Sequence, residues 1–92
     1  MMLNISPTGL AITKRFFLVL DVVIAQHKIR GIKTFTDNHG INYWNFCTLK
    51  KDQEKRMLKA EWLAYMVEDF AINAEWLLTG VGNMFKTSND NI

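Results

Sequence analysis

Residues 32–51 read IKTFTDNHGINYWNFCTLKK, and the glycine at position 40 decides how they fold. Ile32 to His39 makes two turns of possible helix, and Gly40 supplies the positive φ that commonly ends one. Asn42 then offers a side-chain oxygen to the free amides of a new helix, predicted from Tyr43 to about Lys51. The stretch therefore reads as two short helices around a tight corner. With Phe46 and Leu49 of the second helix turned inward, the helical step puts Trp44, Thr48 and Lys51 on the far side. Tyr43, Asn45 and Cys47 fall on its flanks.

Working outward from the corner, Ser6-Pro7 serves as N-cap and first residue of a long helix. Its apolar positions recur at Ile12, Phe16, Leu20, Val23 and Ile24. Phe17, Leu18 and Val22 add apolar surface around the cylinder, which predicts a helix covered on more than one side or exposed in a subunit contact. It is expected to run through Ile29-Arg30 and stop at Gly31. Beyond the corner, Asp52 to Met57 is polar except for its last residue and reads as a solvated connection or a frayed helix end. Leu58 then opens a second amphipathic helix carrying Trp62, Leu63, Met66, Val67 and Phe70. Asn73 caps a last short helix, Ala74 to Thr79, which Gly80-Val81-Gly82 breaks before Met84-Phe85 return to the core. No stretch alternates as a strand. The prediction is an all-α, compact bundle of about five helices over residues 1–85, with a loose polar tail at 86–92.

Ninety-two residues at 49% hydrophobic content form one core and leave little room for an elaborate catalytic cleft. The net charge of +2 hides an asymmetry: residues 1–59 hold ten Lys/Arg against four Asp/Glu, while residues 60–92 hold one Lys against five acids. The basic part is the part that contains the corner. Cys47 is the single cysteine, so no intrachain disulfide forms, and a Cys-based zinc site lacks ligands even with His27 and His39. A reducing cytoplasm fits, at the nucleoid if the partner is DNA. The apolar run Phe16 to Ile24 is interrupted by Asp21, precedes no cleavage site and falls short of the ~20 residues of a membrane span. No carboxylate pair, nucleophile–base pair or metal-ligand spacing stands out, and a lone G-x-G makes no nucleotide site. Neither an enzyme nor a cofactor, a metal or a small-molecule effector is expected.

Two stretches together resemble known regulators. Phe35, Gly40, Ile41, Phe46 and Leu49 match the spacing of the helix-turn-helix unit in phage CI repressor-like (Xre-type) bacterial transcriptional regulators. Residues 72–85, INAEWLLTGVGNMF, resemble the short helix and turn that close the lambda-repressor-like domain behind that unit. The match covers roughly residues 12–85. It implies a lambda-repressor-like helix-turn-helix domain that reads double-stranded DNA. Thr36 departs from the small residue, most often alanine, that the family has at the helix contact, and a modest change in helix crossing is expected. Tyr43-Trp44 departs from the usual amides and hydroxyls. Many such repressors continue into a self-cleaving dimerisation domain, for which this sequence has no residues, so autoproteolysis is not expected.

The residues themselves support the same chemistry. The B-DNA major groove is ~12 Å wide, admits one helix, and displays a different donor–acceptor pattern for each base pair. Asn45 is suited to adenine, and Thr48 to a base edge or a thymine methyl. Asn42 is suited to capping the helix while nearby amides meet a phosphate. Tyr43 and Trp44 offer apolar contact to thymine methyls or sugars and a donor each to phosphate. Lys33, Lys51 and Arg56, with Lys55, would neutralise phosphates flanking the groove. One short helix discriminates weakly, so a homodimer on a pseudo-palindromic operator is expected, with Leu18, Phe17 and Met84-Phe85 as candidates for its surface.

Each residue also has a plainer reading. The indole of Trp44 could fold back to extend the core, the lysines could be a solvated surface, and Cys47 could be a packing residue. His27 and His39 read as surface or cap residues, and Trp62 and Trp76 as core anchors. The rival function is a helical protein-interaction module that grips its partner with the same aromatic helix face.

Overall fold

Ser6 accepts a hydrogen bond from the Gly9 amide at 3.1 Å, and Pro7 follows as the first helical residue. These two residues start α1 (Pro7–Ala25). The structure, a computed structural model, describes residues 5–86. It is an all-helical bundle of five helices: α1, α2 (Ile32–Asn38), α3 (Tyr43–Lys51), α4 (Ala60–Phe70) and α5 (Ala74–Thr79). The expected loose tail at 86–92 lies, apart from Lys86, outside the described residues. No described helix is long and apolar enough to cross a membrane.

The core is aromatic. Phe46 of α3 lies 5.1–5.9 Å, ring to ring, from Phe16, Phe17, Phe35 and Trp62, so α1, α2, α3 and α4 all meet on it. Leu20, Met66, Ile72 and Leu77 are among the other buried residues around it. Phe17 is only 4% exposed, so it belongs to this core and not to a subunit surface. Leu18, at 46%, is the apolar residue of α1 that faces outward. Trp62 is buried as expected, whereas Trp76 is half-buried at the core's edge.

Two helix boundaries differ from the expectation by more than one residue, and α2 ends one residue early, at Asn38, with His39 as its C-cap. α1 stops at Ala25, five residues early, because His27 takes a left-handed conformation (φ 62°). The His27 amide donates to Ile24 O and the Lys28 amide to Val23 O, the paired closure of a Schellman motif, here without its usual glycine. Gly31 instead serves as the N-cap of α2, with extended backbone. α4 starts at Ala60 and not at Leu58: Leu58 is buried but lies ahead of the N-cap, Lys59, which makes no side-chain cap bond. The connection at 52–57 is a turn closed by Lys55 N–H to Asp52 O and tied to the chain start by Ile5 N–H to Glu54 O.

The closing segment behaves as its sequence suggests. The Asn73 side chain accepts from the Glu75 amide, and Gly80 ends α5 at φ 82°. Beyond it the chain returns: Ile72 and Phe85 form a single antiparallel bridge, and Asn73 N–H donates to Met84 O. Arg15 of α1 donates to the carbonyls of Leu77 and Leu78 at 2.8 and 3.0 Å. Its guanidinium thereby satisfies the carbonyl end of α5, where a cation is favoured.

Candidate nucleic-acid interface

The corner is built as its residues require. Gly40 has φ 63°, and the Ile41 amide closes the turn on Thr36 O at 2.9 Å. Thr36, fully buried, donates its hydroxyl to Lys33 O, so the departure from a small apolar residue leaves no unpaired polar atom in the helix contact. His39 caps α2 and reaches α4: its ring stacks on Tyr65 at 4.0 Å, and Nε2 meets Asp69 Oδ2 at 2.6 Å. The corner is thus fixed to α4 by a side chain that reads in the sequence as a surface or cap residue.

Asn42 caps α3, accepting from the Asn45 amide at 2.9 Å. Phe46 and Leu49 turn inward, which leaves Trp44 76% exposed. The indole does not fold back on the core. Tyr43 stands edge-on to it at 5.3 Å and is half-buried. Its phenol is pushed above the ordinary value of 10.0, first by side-chain hydrogen bonding with Cys47 one turn on and then by repulsion from that group, with Lys33 acting the other way. It therefore stays a neutral donor at physiological pH. Cys47 is half-buried.

The remaining site residues divide. Asn45 and Lys51 are exposed on α3, and Arg56 is exposed in the following connection. Thr48 is different: its hydroxyl donates back to Trp44 O at 2.9 Å. Its proton is occupied within the helix, leaving the methyl group and an acceptor for a ligand. Lys33 is paired with Asp37 at 3.1 Å on the exposed side of α2 and lies 5.8 Å from the Tyr43 ring centroid. A phosphate would have to draw its ammonium away from that carboxylate.

The fold also brings residues to this side that spacing along the chain does not reveal. Lys14 of α1 joins Lys50, Lys51 and Lys55 around a cleft of about 300 Å³, with Asp52 and Glu54 on its wall. At the other end of α3, Lys59 and Glu61 line a second cleft with Asn42 and Asn45. Lys14 is separated from α3 by α2 and the corner, and in the sequence it only flanks an apolar run. Among the described residues no three of His, Cys, Asp and Glu come together as a metal site. Comparison with protein-family models, curated proteins and solved structures finds no match to this chain.

Proposed function

We propose that the chain is a sequence-specific, double-stranded-DNA-binding transcription regulator of the helix-turn-helix type. In this reading it is a repressor that occupies a pseudo-palindromic operator as a homodimer, with α3 in the major groove. The observation that carries the reading is the outward face of α3. Its indole is open to solvent, Lys50 and Lys51 end it, and no acidic residue occurs in its nine positions. Asn45 and the Thr48 methyl read bases; Trp44 and Tyr43 cover thymine methyls or sugars; Lys51, Arg56 and the Lys14 cluster neutralise phosphates. Leu18 is the exposed apolar residue of α1 available for the subunit contact.

Selection from a random duplex library tests this. The expected result is enrichment of two inverted half-sites centred about 34 Å apart, one helical turn. Failure to enrich any sequence, with binding that disappears alike for all duplexes at moderate salt, would reject it.

One observation favours a second reading. A tryptophan 76% exposed is also the typical anchor of a protein interface, so the same face could grip a helical partner. Alanine at Lys14 and Lys51, both remote from the aromatic pair's own contacts, separates the two. DNA affinity should fall almost uniformly across sequences with a shallower salt slope, while a protein contact centred on Tyr43 and Trp44 should hold.

A further inference from the structure

The two flanks of α4 do different things. Glu61, Tyr65 and Asp69 turn toward the corner, where Asp69 and Tyr65 hold His39. Ala60, Leu63, Ala64 and Val67 face α5 across an open groove of about 500 Å³, closed on the other side by Ala74 and Leu78. Leu77 lies buried beneath it, and Leu78 remains 43% exposed. The three alanines are exposed, so a helix backbone can approach closely. Glu68 is the one charged residue on the groove wall, and Glu75 is exposed on α5 next to the lining residue Ala74. The nearby guanidinium of Arg15 is spent on the carbonyls of Leu77 and Leu78, and residues 60–85 hold no lysine or arginine.

We propose that this groove receives a basic amphipathic helix from a protein partner. Apolar grooves of this form take a helix through its leucine and alanine face, and the acidic rim selects lysine or arginine on the flanks. A second copy is the poorer occupant. In a twofold contact its own Glu68 and Glu75 would be brought against their equals. The proposal uses no residue of α3 and stands apart from the DNA reading.

The test uses the whole chain and two fluorescein-labelled synthetic helices with the same leucine–alanine face, one flanked by lysines and one by glutamates. By fluorescence anisotropy the lysine peptide should bind about tenfold or more tighter. The double variant Glu68→Lys, Glu75→Lys should reverse the order, and Ala64→Gln, which fills the floor at an exposed position, should abolish binding of both. Equal affinity for the two peptides, or binding of neither, would overturn it. So would self-association in sedimentation equilibrium that Ala64→Gln removes, since the groove would then belong to a second copy.

Discussion

At position 37 an aspartate holds the one cation of α2 that sequence spacing aims at a phosphate. Asp37→Asn should release Lys33 and so strengthen binding to every duplex alike, steepening the salt dependence by about one phosphate equivalent. Titration of specific and scrambled duplexes over a range of salt reads both quantities. The four-residue spacing of Lys33 and Asp37 on one helix is a sequence signal that the phosphate assignment overlooked, while the approach of Lys33 to the Tyr43 ring depends on the corner. A different kind of strain sits at His27 and Ala71, which close α1 and α4 in the left-handed conformation at φ 62° and 54°. Such residues cost about 1 kcal/mol relative to glycine. His27→Gly and Ala71→Gly should each raise the urea midpoint accordingly without altering DNA binding.

Among the elements, α3 has two faces that can be tested separately. Phe46→Ala opens a cavity where four rings meet and should cost ~3–5 kcal/mol, close to the whole stability of a small domain. Trp44→Ala should change stability by no more than about 0.5 kcal/mol while weakening the ligand, whichever it is. Thermal unfolding and binding measured on both variants check the division. α5 depends on α1: Arg15→Gln removes charged hydrogen bonds to two helix-end carbonyls and should destabilise by ~1–3 kcal/mol. Tyr65, in the corner–α4 link, has its phenol raised above 10.0, chiefly by partial burial and then by the charge and hydrogen bond of Glu61. A raised folded value gives a contribution that is whole below pH 10.0 and is lost as pH climbs through the folded value. Alkaline unfolding should therefore be blunted in Tyr65→Phe. The same elements mark what local chemistry can tell. α3 and α5 keep their predicted bounds because Asn42, Asn73 and Gly80 act through their own side chains or φ. α1 ended early because histidine took a position usually filled by glycine. α4 began late because apolar periodicity continues through Leu58, past the point where helical geometry stops.

For the molecule as a whole, charge is divided in space as it is in sequence. The lysines of α1, α3 and the following turn gather at one cleft, while the acids of α4 and α5 lie beside the corner and the open groove. Lys14→Gln, a change at a position remote from α3 in sequence, should lower affinity for all duplexes equally and reduce the salt slope by about one. Its membership of that side is hidden in the sequence because only the approach of α1 to the end of α3 and the turn at 52–55 brings it there. Cys47, the single thiol of the chain, lies one turn from Trp44 on the flank of α3. It gives the native protein its own attachment point for a nitroxide. In a twofold assembly, the spin–spin distance between two such labels would report the separation of the paired helices directly, with and without oligonucleotide, from an unmutated backbone.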